Sequence, residues 1–338
     1  MYINPNLLVL IKPPALVIWN YQSHEQYSID KHHSRRLIEL IEAPVRFDPT
    51  HPIDSTLLAT GILSETPFAT NDWGWDDLSR IFHIGTKDLV PGPRLQNAEE
   101  WARHYLSECE EVMGRPAPEP HRYASALPQD MIYLPTPCVD QTTDFKNALL
   151  ERKTCRVFFK RSVSLHTLSN LLYLSLGYLK EREGGGLNST EGYLYAYNIK
   201  GLGPGFYYYH PDKHALTLIK PINAPLATFV QGQHFVNNLP LGLFITSRFD
   251  KMWWKYPHSQ GYRVALLEAG HVSQTLQLTA TALGMKTWVT AALSEEKIEQ
   301  ALGLNNLCEQ PLLFVGAGYS NGEALCAELK QLLAAESH

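Results

Sequence analysis

Cysteine is scarce in this sequence and is not arranged for cross-linking. Five cysteines occur among 338 residues, and no two of them form a Cys-x-x-Cys pair: Cys109, Cys138, Cys155, Cys308 and Cys326. This spacing argues against a structural zinc site and against a disulfide framework. It favours a reducing compartment.

An excess of positive charge and a membrane-length apolar run are also missing. The formal net charge is −5, so nothing in the composition points to a nucleic-acid partner. Only 19% of the residues are charged, and 11% are aromatic, which is typical of a globular ligand-binding protein. The apolar N-terminal stretch is interrupted by Pro13 and Pro14 and has no basic segment before it. We therefore expect a cytoplasmic protein without a membrane partner.

Several catalytic motifs are absent. There is no Gly-x-Ser-x-Gly elbow of a hydrolase. The Gly316–Gly318 segment lacks the third glycine of a dinucleotide fingerprint. Glu268-x-x-His271 has no second copy to complete a di-iron site, so we expect a buried, hydrogen-bonded pair instead.

The order of strand and helix signals indicates an accessory module before a larger domain. In residues 1–85, two apolar runs around Pro13-Pro14 predict a hairpin of two short strands, and residues 33–44 and 52–65 are each predicted to form a helix. Together they predict a small winged-helix-like module for docking. Residues 86–139 are rich in proline and charge and contain one clear helix, so they are predicted to be a linker. Residues 140–330 are predicted to form the catalytic domain.

A long apolar helix is predicted from Arg263 to Gly284. Its apolar residues occupy most of the circumference, so we expect burial within a large domain or at a subunit contact. Gly284 is the predicted C-terminal cap.

A basic cluster occurs where an earlier helix is predicted to end. Arg152, Lys153, Thr154 and Arg156 place three cations and a hydroxyl within five residues. Such a cluster can hold a phosphate through charge-assisted hydrogen bonds, or it can be a solvated turn. A glycine run that includes Gly184 and Gly185 follows, where backbone N–H groups could approach a ligand closely.

Four of these segments together resemble the flavin-dependent nitroreductase superfamily, and most closely its SagB-type azoline oxidases. ERKTCRVF is similar to the family's phosphate-binding E-R-R-S-x-R-x-F, and GGGLNSTEGYL is similar to the loop along the isoalloxazine ring. KYPHSQGYRVALLEAGHVSQ resembles K-Y-x-x-R-G-Y-R-x-x-x-L-E-x-G-H-x-x-Q. WVTAALSEEKIEQALGLNNLCEQPLLFVGAGY resembles the closing strand, helix and strand.

The resemblance implies an α+β, nitroreductase-like fold with an antiparallel-rich sheet, flanking helices and a domain-spanning central helix. It implies FMN as the cofactor, and a homodimer. The FMN contacts it implies are Arg152, Lys153, Thr154, Arg156, Gly184, Gly185, Thr290, Ala291 and Ala292. Lys255 and Tyr256 correspond to the catalytic pair of the azoline oxidases.

The expected activity is therefore FMN-dependent oxidation of a thiazoline, oxazoline or related amino-acid-derived centre during biosynthesis of a peptide natural product. The substrate is expected to be a peptide or a carrier-bound small molecule, and a biosynthetic partner protein is expected to deliver it. Two alternatives stay open. One is an NAD(P)H-dependent reductase of nitroaromatics, quinones or dehydroamino acids, and the other is a flavin-less docking scaffold.

Overall fold

A computed structural model describes residues 1–69, 73–87, 97–138, 144–177, 189–305 and 307–335. The chain divides into two compact units, Met1–Leu95 and Gln96–His338. Gly184 and Gly185 lie outside the described residues. Among the described residues, no helix combines the length and the apolar character needed to cross a bilayer.

The first unit contains a three-stranded antiparallel sheet, a short two-stranded sheet and three helices. Its elements are β1 (Tyr2–Ile3), β2 (Leu7–Lys12), β3 (Ala15–Asn20), β4 (Gln26–Ile29), α1 (Lys31–Glu42), α2 (Pro52–Ala59), β5 (Leu63–Ser64) and α3 (Asp77–Gly85). The hairpin predicted around Pro13-Pro14 is confirmed, with Leu7 opposite Asn20. The segment predicted as one helix from Pro52 onward ends at Ala59 and continues into β5, because Gly61 adopts a positive φ of 66°.

One buried ion pair joins two helices of the first unit. Arg36 on α1 donates from Nε and Nη2 to the two carboxylate oxygens of Asp54 on α2, at 2.7 and 2.8 Å. The Asp54 side chain is fully buried, and the hydrogen bonds from Arg36 hold the pKa of that carboxyl below its usual range. The apolar core of the unit packs beside this pair through Ile18, Leu40 and Leu57.

The second unit is built on a seven-stranded antiparallel sheet flanked by helices. Its elements are α4 (Ala98–Met113), β6 (Met131–Tyr133), α5 (Phe145–Glu151), α6 (Leu165–Leu172), β7 (Thr190–Ala196), β8 (Gly205–His210), β9 (Ala215–Pro221), β10 (Leu241–Arg248), α7 (Phe249–Lys255), α8 (Gln260–Ala282), β11 (Lys286–Thr290), α9 (Glu295–Leu302), β12 (Glu309–Gly318) and α10 (Ala327–Ala335). The strand order is β11-β12-β10-β7-β8-β9-β6. The predicted α+β class is confirmed.

Alternation of side chains along the strands gives the sheet two apolar faces. One face, which includes Leu194 and Leu243, packs with α6 and α8. The opposite face, which includes Tyr193 and Phe244, packs with α9 and the turns around residues 226–238. The sheet is therefore covered on both sides, and its central strands β7, β8 and β10 are buried along their whole length.

Helix α8 is the long helix that the sequence predicts, but it begins three residues earlier and is less covered than expected. Gly284 has φ +78°, its N–H donates to Thr281, and the N–H of Met285 donates to Ala280, so the predicted glycine cap is confirmed. In the N-terminal half, however, Leu267 is 64% exposed. This half is therefore not buried on most sides within one chain, and the expected burial at a subunit contact stays a prediction.

The expected buried Glu268–His271 pair is also wrong. His271 lies on the exposed side of α8, whereas Glu268 is half-buried and accepts hydrogen bonds from Ser189. Positions three apart on a helix are neighbours in space, but here the sheet supplies a nearer donor for the carboxylate.

Candidate functional site

The basic cluster lies directly after α5 and is fixed to the edge strand β11. The helix ends at Glu151, and Arg152 takes an extended conformation. Thr154 then pairs in parallel with Thr287 of β11, and the N–H of Cys155 donates to the Thr287 carbonyl at 2.9 Å. Arg152, Lys153 and Thr154 therefore leave the helix end with their backbone held by a strand.

The cations of this cluster have different surroundings. Arg156 donates from Nη1 to the carbonyl of Ala324 at 2.8 Å, and its backbone N–H donates to Glu323. The Lys153 side chain runs close to Gly322, where an added Cβ would come within 2.7 Å of Lys153 Cε. A segment near the C-terminus thus fixes Arg156 and borders Lys153. Cationic and hydroxyl donors in this arrangement fit a phosphate group.

Thr290, Ala291 and Ala292 form the turn at the far end of β11. Thr290 Oγ1 accepts from the N–H of Ala292 at 2.9 Å, and Ala291 is exposed. Thr290 is three strand residues beyond Thr287, a distance of about 10 Å at the usual rise per residue. β11 therefore adjoins the phosphate-binding candidates at Thr287 and the candidates for ring contacts at Thr290, as an elongated cofactor would require.

Glu268 binds Ser189, the residue that follows the glycine-rich segment, and this contact was not predicted from the sequence. Its Oε2 accepts from the Ser189 N–H at 2.9 Å and from the Ser189 hydroxyl. Ser189 Oγ is also 2.9 Å from Ser247 Oγ, and its carbonyl accepts from the N–H of Arg248. The central helix thus fixes the residue at which β7 begins. The signal was a carboxylate within an apolar helix, which needs a buried partner.

Lys255 and Tyr256 lie at the junction of α7 and α8. Lys255 is the last residue of α7, and its Nζ is 5.4 Å from the centre of the Tyr256 ring. The N–H of Tyr256 donates to Met252 at 2.8 Å, and the first turn of α8 packs on Tyr256 at Gly261. Both side chains are partly buried. The structure brings the two side chains together. They lie at the N-terminal end of α8, whereas the basic cluster is fixed to β11, the strand that follows the C-terminal end of α8.

A buried polar network covers one end of the sheet on the face opposite α8. Tyr193 Oη donates to Glu309 Oε1 at 2.8 Å, and Thr246 donates to the same oxygen at 2.6 Å. His121 Nδ1 accepts from the N–H of Tyr123, so its Nε2 carries the proton and donates to Tyr193 Oη at 2.9 Å. Burial, reinforced by the Glu309 carboxylate, raises the pKa of Tyr193 well above its usual range.

A second carboxylate, Glu191, lies on the same face. It accepts from Tyr208 Oη at 2.9 Å and from Lys251 Nζ at 2.9 Å. His121 stacks on the Tyr208 ring, with 4.2 Å between the ring centres. The two carboxylates are therefore part of one packed cluster of tyrosines and histidine. Sequence reasoning missed this cluster, because its members are distant along the chain.

Comparison with known proteins identifies the family. The profile described as Nitroreductase family matches residues 149–319, just over half of the chain. The chain belongs to the nitroreductase family. Members of this family are flavin-dependent oxidoreductases, and this chain is a nitroreductase-family oxidoreductase.

Relatives of known sequence or structure agree with this assignment. A Methanocaldococcus jannaschii protein named as a nitroreductase, MJ1384, is 27% identical over 181 residues, which cover 51% of this chain and 89% of that protein. A solved nitroreductase structure from Anabaena variabilis is 19% identical with a TM-score of 0.51, and the match covers 69% of this chain and 49% of that one. At this identity the second comparison shows the fold alone, and the chain spans about half the length of that protein.

The match also extends to a bacterial synthetase complex at lower structural similarity. The Escherichia coli microcin synthetase McbBCD, solved with truncated pro-MccB17 bound, contains a chain that is 18% identical to this one. The TM-score is 0.44, and the alignment covers 83% of this chain and 97% of that one.

An open cavity of about 680 Å³ adjoins the polar network of this nitroreductase-family unit. Its wall includes Trp253 and Trp254 from α7 and several prolines of the segment before His121. Its polar lining includes His121, Arg248 and Glu309. Lys255 and Tyr256 follow Trp254 in the chain but do not themselves line the cavity.

Proposed function

We propose that this protein uses FMN to oxidise a thiazoline, oxazoline or related amino-acid-derived centre of a peptide natural product. The observation that carries the proposal is the Lys255–Tyr256 pair, with the amine 5.4 Å from the ring centre, in a nitroreductase-family unit. The resemblance of this pair to that of the azoline oxidases supports oxidation rather than reduction.

The cofactor would be held by residues at two ends of β11. Arg152, Lys153 and Thr154 have the donors for its phosphate, and Thr290 with its turn borders the region proposed for its ring. When bound, the flavin accepts two electrons and carries the redox chemistry.

The proton chemistry falls to the protein. Converting an azoline to an azole removes two electrons and two protons, and one proton must leave to a base. Lys255 in its neutral form would accept this proton, and Tyr256 beside it would hold the amine in place and donate a hydrogen bond to the substrate.

Two further features are part of the proposal. The exposed apolar face of α5 and α8 supports a homodimer, as is typical of the family. The first unit is proposed to dock a substrate carrier or partner protein, with a lid or dimer-stabilising role as its alternative.

A reductase is the second candidate, because the Methanocaldococcus jannaschii relative is named as a nitroreductase. An NAD(P)H-dependent reductase would consume NAD(P)H with a nitroaromatic, quinone or dehydroamino acid as acceptor. An oxidase would instead have its flavin reduced by the azoline itself. Flavin bleaching under anaerobic conditions with each compound distinguishes the two activities.

Substitution of Lys255 and Tyr256 tests the mechanism. Lys255→Ala and Tyr256→Phe are expected to retain flavin but to slow its anaerobic, single-turnover reduction by azoline about 10²- to 10⁴-fold, since a general base is lost. Lys255→Arg is not expected to rescue, because a guanidinium stays protonated. Reoxidation of the reduced flavin by oxygen serves as the control and should hardly change. Bleaching of Lys255→Ala at the wild-type rate would exclude the pair as the proton acceptor.

A further inference from the structure

The cavity beside α7 combines apolar walls with a polar floor. Trp253 is 52% exposed and forms part of the wall with Pro118. Its volume, about 680 Å³, is in the range of pockets that hold small molecules or short peptide segments. The exposed indole surface gives an apolar group a place to bind.

The cations that line the cavity are already engaged. Arg248 donates to both oxygens of Asp250 and to the carbonyl of Glu119. Arg115 donates to Glu111 and to the carbonyl of Trp254, and Arg122 donates to the carbonyl of Leu302. Arg115 and Arg248 each already have a carboxylate partner, which offsets part of the positive charge that a phosphate-bearing ligand such as a nicotinamide dinucleotide needs.

One acceptor and one donor at the cavity remain to be satisfied. Glu309 Oε1 is occupied by Tyr193 and Thr246, whereas Oε2 has His121 Nε2 at 3.6 Å, beyond hydrogen-bond distance. Within the described part of the chain, Trp254 Nε1 is buried without an acceptor. A buried donor without a partner is costly, so a ligand that supplies a carbonyl to the indole gains from that position, and its own N–H has Glu309 Oε2 as an acceptor.

We propose that this cavity binds a peptide segment that flanks the reactive centre of the substrate. A backbone amide offers the complementary pair of groups, with its N–H donated to Glu309 Oε2 and a carbonyl reached by the Trp254 indole N–H after a small rotation of the ring. An apolar side chain of the same segment packs against Trp253. This inference rests on the proposed oxidation of a peptide-derived centre, because only such a substrate has residues that flank the reactive centre.

Peptide binding to the full-length, flavin-loaded protein tests the inference. The probe is Gly-Gly-Leu-Gly-Gly-amide labelled with fluorescein at its N-terminal amine, followed by fluorescence anisotropy, with the Asp-centred counterpart as a second probe. Wild type should bind the Leu peptide and bind the Asp peptide more weakly, since Glu309 repels a second carboxylate. Glu309→Gln keeps an acceptor for Tyr193 and Thr246 but loses the charge, so the Kd should rise about tenfold or more.

Two further variants separate peptide binding from folding. Trp253→Ala removes an exposed wall residue, and it should also weaken the Leu peptide about tenfold while circular dichroism stays unchanged. Trp101→Ala is the matched control, because Trp101 is a 56% exposed tryptophan on α4 that does not line the cavity. Equal affinity in wild type, Glu309→Gln and Trp253→Ala would overturn the inference, as would a wild-type protein that does not bind the Leu peptide.

A minimal azoline without flanking residues reports on the proposed function separately. If that compound bleaches the flavin but the cavity variants bind peptide like wild type, the inference fails and the proposed function stands. If it does not bleach the flavin while both cavity variants lose peptide affinity, the peptide site stands and the oxidation fails. With an extended azoline peptide, both proposals together predict that the cavity variants raise KM. With the minimal azoline, the same variants should leave kcat unchanged.

Discussion

Arg152 and Arg156 carry the same charge four residues apart, but the structure gives them different neighbours. Arg156 binds the carbonyl of Ala324 and so also holds the segment before α10. Arg152 follows the end of α5 and is half-buried. The two substitutions should therefore be separable in their effects.

Flavin titration of the apoprotein tests this difference. Arg152→Ala is expected to raise the Kd for FMN about 10- to 100-fold, because a charge-assisted bond to phosphate is lost, with little change in Tm. Arg156→Ala should raise the Kd for FMN and also lower Tm. Lys146→Ala is the control, since Lys146 is an exposed cation on α5, the helix that precedes the basic cluster. Unchanged FMN affinity in a protein that carries both Arg152→Ala and Arg156→Ala would contradict the proposed phosphate contacts.

His214 makes the stability of the second unit sensitive to pH. Its Nδ1 accepts from Tyr209 Oη at 2.8 Å, and its Nε2 is 2.7 Å from Ser169 Oγ, which in turn donates to Pro135. Burial lowers the pKa of His214 below its ordinary value. As pH falls below about 6.5, the unfolded chain therefore binds the proton before the folded one, and stability is lost.

Thermal unfolding at about pH 7.5 and pH 5.5 measures this effect. His214→Asn removes the titrating group, and asparagine tolerates the positive φ of 47° at this position. The fall in Tm between the two pH values should be smaller in His214→Asn than in wild type. His166→Asn, at an exposed position on α6, should keep the wild-type difference. An identical pH dependence in His214→Asn and wild type would rule out His214 as its source.

Among the helices, α8 connects the largest number of site features. Tyr256 packs against its first turn at Gly261, Glu268 in its middle binds Ser189, and Gly284 follows its end before β11. A substitution that changes the length or the end of this helix should therefore change the free energy of unfolding.

Two glycines of the α8 region are expected to respond to alanine with opposite signs. Gly284→Ala should lower the free energy of unfolding by about 1 kcal/mol or more, because φ is +78° there and a Cβ is strained in that conformation. Gly270→Ala should raise it by about 0.5–1 kcal/mol, since Gly270 lies inside the helix and an added Cβ would meet nothing within 4 Å. Chemical denaturation measures both. Equal effects of the two substitutions would contradict this account of the cap.

Helices and strands with strong local patterns could be predicted from the sequence. The one clear helix predicted in residues 86–139 is α4, which the Asn97 side chain caps and which Gly114 follows. The two strands predicted around Pro13-Pro14 are β2 and β3. These elements depend on neighbours that are near in sequence.

Contacts between distant segments could not be predicted in this way. Glu309 meets Tyr193 across more than a hundred residues, and Glu268 meets Ser189 across 79. The first contact depends on the strand order, which places β12 and β7 on either side of β10, and the second depends on the packing of α8 against β7. The helical spacing of Glu268 and His271 instead suggested a local pair, and that prediction was wrong because the sheet offered a closer donor.

At the scale of the whole molecule, an exposed apolar face on two packed helices remains to be covered. On α5, Phe145 is 69% and Leu150 is 74% exposed, and on α8 Leu267 is 64% exposed. The two helices pack against each other, so these side chains belong to neighbouring surfaces. Apolar surface of this kind typically marks an interface between subunits.

A homodimer formed through this face should therefore be sensitive to a charge at its centre. Leu267→Asp is expected to raise the dimer dissociation constant at least about a hundredfold, because each copy would bury an unpaired carboxylate. Light scattering across a dilution series should show a dimer for wild type and a monomer for the variant. Ile11→Asp introduces the same charge at a 79% exposed position of the first unit and should leave the dimer intact. A wild-type protein that is monomeric at every concentration while carrying flavin would contradict the proposal, because the apolar face of α8 would then be open to water in the functional protein.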